Sequence, residues 1–322
     1  MSKGVLSGLR GRALMATSWL ACRLPEGPLV RMAELTGDLW YRLAPDRVAQ
    51  ARRNLRRVCE SLDETGRGTP AVRAAATDPL ALERLVRSAF RHNARYYLEV
   101  ARTPGVTSAF LDERLDLDTP ELVADAVSPG KAHLFVGLHF GSLELPALFL
   151  AFRVGTMVTP METVGDPGLQ AWFERTRGVN GVKLVGLREA RRTLLDALRN
   201  GTPVGIVGDR DLTGGGIPIP LFGAPADLPM GPAMLAVESG VRVYGLGVRR
   251  SGRSRYRARL IPIEVPTEGT RRERVTTTMT LLASAFEQII EDAPEQWWAV
   301  FFPIWPDLES AALESAALES AI

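Results

Sequence analysis

The chain has 322 residues, an ordinary apolar fraction of 46% and a formal net charge of only +2, so it can bury a substantial core and is not a disordered protein. Its two cysteines and three histidines show neither a disulfide framework nor the spacing of zinc ligands, and we expect no metal and no cofactor. No apolar run reaches the ~18 residues needed to span a bilayer.

The N-terminal residues carry most of the positive charge. Residues 1–60 contain eleven Lys/Arg against five Asp/Glu and are predicted to be helical. The first helix has Trp19 beside a stripe of small and apolar residues, which are Leu9, Ala13, Ala16 and Leu20. A basic amphipathic helix of this kind is typical of a helix lying in an anionic membrane surface. It is equally typical of a helix that packs on its own domain, with its arginines in solvent.

The chain is predicted to divide into three parts. A second basic helix at 48–62, an Ala/Gly-rich linker at 65–79 and a helix at 80–101 complete a helical membrane-association region, residues 1–105. Residues 106–306 form the core. Residues 307–322 repeat Leu-Glu-Ser-Ala-Ala, and because a five-residue period keeps no single helical face, we exclude this low-complexity tail from the fold.

Strands and helices alternate in the core. Strands are predicted at 132–138, 156–159, 182–185, 204–208, 241–248 and 257–265, and helices at 145–152, 169–177, 188–200, 232–239 and 271–292. This alternation predicts an α/β fold, with a mainly parallel central sheet flanked by helices and a helical, membrane-apposed N-terminal region.

One predicted strand ends at a histidine. His139 follows an apolar run and precedes Gly141 and a buried helix, so it is expected in the crevice above the sheet, where α/β proteins place their chemistry. An imidazole there can take a proton from a hydroxyl near neutral pH. A nearby carboxylate, such as that of Glu144 five residues on, can fix its tautomer. The competing interpretation is a histidine hydrogen-bonded in a strand-end turn.

A second predicted strand ends in charged residues. Asp209, Arg210 and Asp211 follow the strand at 204–208, and three glycines at 214–216 come next. Because parallel strands bring their carboxyl ends to one crevice, Asp209 can approach His139. The glycines would let the backbone pass close to a ligand. A salt-bridged turn with flexible glycines is the alternative.

Several catalytic motifs are absent from the sequence. It contains no Gly-x-Ser-x-Gly elbow, no Walker loop and no Gly-x-Gly-x-x-Gly after a strand. His139 therefore has no obvious protein nucleophile to activate. We therefore expect it to activate a hydroxyl group on a substrate.

The sequence resembles a known enzyme family. His139 and Glu144 match the His-x4-Asp/Glu signature of the lysophospholipid acyltransferase superfamily. Four later blocks resemble the bacterial glycolipid acyltransferases, which include late lipid A acyltransferases and phosphatidylinositol mannoside acyltransferases. These blocks are Asp-Arg-Asp-Leu-Thr at 209–213, Phe-Gly at 222–223, Pro-x-Gly-Pro-Ala-x-Leu-Ala-x-Glu-x-Gly at 229–240 and Pro-Glu-Gln-Trp-Trp at 294–298. The resemblance covers residues 5–306.

The resemblance also implies roles for individual residues. His139 corresponds to the general base and Glu144 to the acid of the motif. Asp209 falls where the mannoside enzymes carry a second catalytic glutamate. Contact with the acyl donor or the substrate is implied for Arg177, Arg210, Gly215 and Glu238. After Trp298 the sequence departs from the family pattern, with Phe301 and Phe302 replacing a His/Arg-rich ending, which leaves the acceptor open.

The expected function follows from this resemblance. The family moves a fatty acyl group from acyl-CoA or acyl-carrier protein to a hydroxyl of a membrane lipid. We expect a phosphatidylinositol mannoside-type glycolipid acceptor, an anionic membrane surface as partner, and a peripheral position on the cytoplasmic face of the plasma membrane, with no nucleic acid involved. The alternatives are a late lipid A-type or lysophospholipid acyltransferase, a lipid ester hydrolase, and a non-catalytic lipid- or nucleic-acid-binding module.

Overall fold

The computed structural model describes residues 3–128, 130–211 and 214–310. Leu212 and Thr213 of the second charged stretch, and residues 311–322 of the predicted tail, lie outside the described residues.

The N-terminal third of the chain is helical, as predicted. Its five helices are α1 (Lys3–Ala21), α2 (Glu26–Leu43), α3 (Pro45–Glu64), α4 (Pro70–Thr77) and α5 (Pro79–Arg102). A proline in the first turn starts α3, α4 and α5, where its missing N–H would have no helical partner. The prediction of a linker at 65–79 was wrong for most of that stretch, because α4 occupies it and buries Val72 and Ala75. The alanines that suggested a linker are instead good helix formers.

The rest of the chain alternates between helices and strands. It contains α6 (Ser108–Arg114), β1 (Leu115–Leu117), α7 (Pro120–Ala126), β2 (His133–Gly137), α8 (Glu144–Val154), β3 (Met157–Met161), α9 (Pro167–Arg177), β4 (Val182–Gly186), α10 (Leu187–Arg199), β5 (Val204–Val207), β6 (Ile217–Leu221), β7 (Ala224–Leu228), α11 (Gly231–Ser239), β8 (Arg242–Arg250), β9 (Tyr256–Ile263) and α12 (Arg271–Ile290). Two 3-10 turns follow, at Pro294–Gln296 and Trp298–Phe301. Every strand and helix predicted for the core is present, with ends within two residues of those expected.

The central sheet has seven strands in the order β1-β9-β8-β2-β5-β3-β4. All neighbouring pairs are parallel except β8 and β9, which are antiparallel. The prediction of an α/β fold with a mainly parallel sheet flanked by helices is therefore confirmed. β2 lies near the middle of the sheet and residues 133–136 are buried, which explains their continuous apolar character after the first residue.

From the sequence, Pro218, Phe222-Gly223 and residues 229–233 are expected to form an apolar loop that enters a helix at Pro232, and this expectation is wrong for residues 217–228. β6 and β7 form a separate antiparallel hairpin, joined by Phe222 and Gly223 with φ values of 49° and 77°. Two successive positive φ values are typical of a tight hairpin turn whose twist matches its strands. The prolines in this segment argue against strands at the level of sequence. In the structure all of them lie at exposed positions of a two-stranded ribbon, where a missing N–H is tolerated.

The N-terminal helices and the sheet share buried apolar residues. One continuous cluster contains Leu55 of α3, Phe90 of α5, Leu134 of β2 and Phe286 of α12. The first residues of the predicted tail also contact this region, since Asp307 accepts a hydrogen bond from Arg57 at 2.8 Å and Glu309 one from Gln50 at 2.6 Å. The helical region is thus packed directly on the α/β core.

Candidate active site

His139 and Asp209 meet at the carboxyl edge of the sheet. β2 and β5 are parallel neighbours, and Gly137 pairs with Val207 at their ends. His139 lies two positions after Gly137, and Asp209 lies two positions after Val207. The Nδ1 atom of His139 lies 2.8 Å from Oδ1 of Asp209, and the backbone N–H of His139 donates to Oδ2 at 3.0 Å. Asp209 therefore approaches His139, as predicted from the meeting of parallel strands at their carboxyl ends.

A tryptophan completes the environment of Asp209. The indole N–H of Trp297 donates to Oδ2 of Asp209 at 2.7 Å, and the carboxylate is fully buried. Burial alone raises the pKa of Asp209, but the charge of His139 and the hydrogen bonds from His139 and Trp297 outweigh it, so the pKa lies below its ordinary value. Sequence analysis assigned no role to Trp297, although the Pro-Glu-Gln-Trp-Trp block was the signal that could have found it.

The contact with Asp209 determines which nitrogen of His139 can act as a base. An ionised carboxylate accepts hydrogen bonds only, so Nδ1 carries the proton in the neutral imidazole. Nε2 is then the basic nitrogen. The His139 side chain is 16% exposed and lines a large cleft, so the group is accessible to a substrate.

The C-terminal turns hold the histidine from the other side. Trp298 donates its backbone N–H to the carbonyl of His139 at 2.9 Å, and its ring packs edge-on against the imidazole with centroids 4.4 Å apart. Gly141 has a φ of 52°, and a side chain there would collide with the carbonyl of Val248. Only glycine therefore suits the tight turn that follows the histidine.

Glu144 lies elsewhere in the site. It is the first residue of α8, and its carboxylate accepts a hydrogen bond from Nε of Arg177 at 2.9 Å. Arg177 also donates to the hydroxyl of Tyr96. The carboxylate that contacts the imidazole is thus that of Asp209. Glu144, which is nearer in sequence, pairs with Arg177 instead. A helix beginning at Glu144 turns this side chain toward α9 rather than back to the strand end.

An apolar cleft of about 650 Å³ opens beside His139. It runs between the sheet and α8, whose Pro146, Ala147 and Leu150 line it. The apolar helix that the sequence predicts after the histidine thus borders the cleft. The polar side chains along it include the residues predicted for the site, which are His139, Glu144, Arg177 and Arg210.

The remaining predicted residues divide into two groups. Gly215 lines the cleft, next to Asp211, which accepts the backbone N–H of Gly216 at 2.7 Å. Glu238 is not among the described residues that line the cleft. It forms ion pairs with Arg191 at 2.7 Å and with Arg271, so it links α10, α11 and α12. Five of the seven predicted site residues line one cleft, Asp209 is buried and bonded to His139, and Glu238 lies apart from the cleft.

Comparison with known proteins identifies the family. Residues 12–302 match the family model described as bacterial lipid A biosynthesis acyltransferase. The chain is 30% identical over 291 residues to a phosphatidylinositol mannoside acyltransferase of Mycobacterium tuberculosis, covering 88% of this chain and 84% of that protein. A protein of the same name from Mycolicibacterium smegmatis is 27% identical over 164 residues, which are 50% of this chain and 54% of that protein.

The family match includes β2, β5 and the C-terminal turns, which are the elements that hold His139 and Asp209. The resemblance found in the sequence is therefore confirmed, and the chain is an acyltransferase that belongs to the bacterial lipid A biosynthesis acyltransferase family.

Proposed function

We propose that this protein transfers a fatty acyl group from an acyl thioester, carried by CoA or by acyl-carrier protein, to a hydroxyl of a membrane glycolipid of the phosphatidylinositol mannoside type. The observation that carries the proposal is the buried Asp209 bound to Nδ1 of His139 beside a long apolar cleft. Similarity to phosphatidylinositol mannoside acyltransferases supports the class of acceptor.

The chemistry needs one base and no protein nucleophile. Nε2 of His139 removes the proton of the acceptor hydroxyl as its oxygen attacks the thioester carbonyl, which forms the new C–O bond. Asp209 stabilises the imidazolium that results. Collapse of the tetrahedral intermediate breaks the C–S bond, and the sulfur leaves as a thiolate because a thiol has a pKa of ~8.5. The thiolate then takes the proton from the imidazolium, which restores the base.

The oxyanion needs hydrogen-bond donors near the reacting carbon. Backbone N–H groups of residues 214–216 and of the first turn of α11 are two candidate donors. The N–H of Gly216 already bonds to Asp211, whereas Gly231 and Pro232 at the start of α11 line the cleft. We therefore assign oxyanion stabilisation to the first turn of α11, where backbone N–H groups and the helix dipole favour negative charge.

The protein is proposed to act at a membrane surface. No helix in the described part of the chain combines the length and apolar character needed to cross a bilayer. The predicted stripe on α1 is not covered by the protein, since Leu9 and Leu20 are 51% and 48% exposed. α2 adds a longer stripe of exposed apolar residues, which are Met32, Leu35, Leu39 and Leu43. We propose that these two helices dock on the anionic, cytoplasmic face of the plasma membrane.

The test is loss of base catalysis without loss of the fold. His139→Ala and Asp209→Asn should each lower acyl transfer by about 10²–10⁴-fold, the range expected when a general base is removed or misoriented. An asparagine can turn its amide N–H₂ toward Nδ1, which would place the imidazole proton on Nε2 and remove the base. The measurement is release of CoA thiol in the presence of acceptor glycolipid, with a thermal melt of each variant.

Two results would contradict the proposal. A folded His139→Ala protein that keeps more than about a tenth of the wild-type rate would show that the histidine is not the base. Thiol release that is equally fast without any acceptor lipid would identify a thioesterase instead of a transferase.

A further inference from the structure

Two arginines share one aromatic ring beside the cleft. The guanidinium carbon of Arg210 lies 3.5 Å from the ring centroid of Phe302, and that of Arg47 lies 5.1 Å from the same centroid. Arg47 is further held by a 2.6 Å hydrogen bond from Nη1 to the carbonyl of Phe301. The aromatic ring contacts the flat face of the guanidinium and fixes its orientation. The N–H groups in the guanidinium plane therefore stay available to a ligand.

Among the described residues, Arg210 has neither an ion-pair partner nor a hydrogen-bond partner for its guanidinium. Within residues 3–128, 130–211 and 214–310, no carboxylate lies within the 4.0 Å that defines an ion pair with its guanidinium, and no hydrogen bond from it is found. The adjacent Asp209 is occupied by His139 and Trp297. Burial favours the neutral form and lowers the pKa of Arg210, with Glu162 and Asp209 acting in the opposite sense and Arg47 in the same sense. A half-buried cation in this situation favours a bound anion.

One member of the pair, Arg210, lines the cleft that the substrates are proposed to enter. Arg210 lines the cleft together with Asp211 and Gly215, and it directly follows the carboxylate that holds the catalytic histidine. Glu162 is exposed and lines the same cleft, but its carboxylate does not lie within ion-pair distance of Arg210. An anionic group bound by the two arginines would therefore belong to a molecule that also enters the acyl-transfer site.

We infer that Arg210 and Arg47, ordered on Phe302, form a phosphate-binding site at the rim of the cleft, an inference that rests on the proposed function. Guanidinium groups match phosphate oxygens with paired N–H donors. Both proposed substrates carry such a group, as the phosphates of CoA or of a carrier protein's phosphopantetheine, or as the phosphodiester of the acceptor lipid. The chemistry is the same in both cases, and the experiment separates them.

The test measures binding of two soluble pairs of probes by calorimetry. CoA is compared with pantetheine, which lacks phosphate, and glycerophosphoinositol with inositol. Arg210→Gln should weaken one phosphate-bearing probe about tenfold, as expected for loss of a charged hydrogen bond, and leave its phosphate-free counterpart unchanged. Arg47→Gln should weaken the same probe, and Arg210→Lys should restore part of the loss. Arg199→Gln is the control, since this arginine is 66% exposed on α10 and does not line the cleft.

Each outcome has a defined meaning. Weaker binding of CoA alone identifies the donor phosphate as the ligand, and weaker binding of glycerophosphoinositol alone identifies the acceptor phosphodiester. The inference is overturned if Arg210→Gln changes neither probe more than Arg199→Gln does, or if the wild-type protein binds neither phosphate better than its phosphate-free counterpart. Transfer from an acyl-N-acetylcysteamine thioester, which has no phosphate, tests the proposed function separately. If the wild-type protein catalyses this transfer and Arg210→Gln leaves binding of both phosphate-bearing probes unchanged, only the phosphate site is refuted.

Discussion

The histidine and its carboxylate depend on a third side chain that lies far away in sequence. Oδ2 of Asp209 accepts both the backbone N–H of His139 and the indole N–H of Trp297, so Oδ1 remains for the imidazole. A fully buried carboxylate stays ionised only when such donors compensate for lost water. Trp297 therefore positions Asp209 and helps to keep it ionised, while itself fully buried and not among the residues that line the cleft.

Replacing Trp297 should change the pH dependence of the enzyme. In Trp297→Phe, the carboxylate of Asp209 loses one hydrogen-bond donor, so its pKa rises toward the ordinary value. Asp209 is then protonated, and the dyad lost, at a higher pH than in the wild type. The acid limb of the kcat/KM profile should move to higher pH, and the maximal rate should fall by about tenfold, as for loss of a charged hydrogen bond.

A second tryptophan provides the control. Trp305 is also fully buried and donates its indole N–H at 3.1 Å, but to the carbonyl of Leu221. Trp305→Phe should destabilise the fold by a similar amount without moving the acid limb. If both variants shift the pH profile equally, or neither does, Trp297 has no positioning role beyond packing.

At the scale of elements, α2 and α5 make an unusually close contact. Gly37 of α2 faces α5 so closely that a Cβ atom there would lie 2.6 Å from Cα of Arg91 and 2.7 Å from the carbonyl oxygen of Phe90. Asp38 beside it accepts paired hydrogen bonds at 2.7–2.8 Å from Arg87 and Arg91 of α5. This contact holds α2, with its exposed apolar stripe, against the helix that carries Tyr96 of the site.

Gly37→Ala should separate the two helices and lower the melting temperature. Two backbone atoms would have to move, and overpacking of this kind costs about 1–3 kcal/mol. Gly27→Ala is the matched control on the same helix, because a Cβ atom there meets nothing within 4 Å. Alanine should stabilise α2 there by up to about 1 kcal/mol. Equal melting temperatures for the two variants would show that the contact with α5 does not limit stability.

At the scale of the whole molecule, most of the exposed large apolar side chains of the described residues lie on α1 and α2. Leu35 and Leu39 of α2 are 67% and 54% exposed and lie one helical turn apart, with Trp19 of α1 58% exposed. Arg31 and Arg42 on α2 are also exposed. Apolar residues flanked by arginines are typical of a helix that lies in a membrane interface.

A double substitution should weaken membrane binding. Leu35→Ser with Leu39→Ser removes two side chains whose burial in lipid is worth about 1.5–3 kcal/mol each when complete, so vesicle affinity should fall at least tenfold. Thermal stability should not change, since both side chains are exposed. Vesicle sedimentation measures the effect, and Leu281→Ser on α12, with a leucine 36% exposed, is the control.

The lipid composition gives a second readout. Wild-type protein should bind anionic vesicles more tightly than neutral ones, because each arginine near an anionic surface contributes about 1 kcal/mol. Equal binding to both kinds of vesicle, or no binding to either, would refute the membrane surface proposed here.

The sequence by itself determined the fold class, six strands and five helices of the core, and the residues that meet at the sheet edge. Apolar runs of strand length alternate with helical patterns over these residues, and parallel strands necessarily bring their carboxyl ends together. His139 and Asp209 each follow such a run, so their approach could be inferred from local signals alone.

The tertiary structure decided how those residues are partnered. Five residues separate His139 from Glu144, yet the first turn of α8 directs Glu144 to Arg177, and Asp209 from a neighbouring strand takes the imidazole. Trp297 reaches Asp209 from 88 positions away in the chain, and the prolines of the β6–β7 hairpin are tolerated only because they lie on its exposed side. Hydrogen-bond direction and burial depend on which elements become neighbours in space, and no local pattern in the chain specifies that.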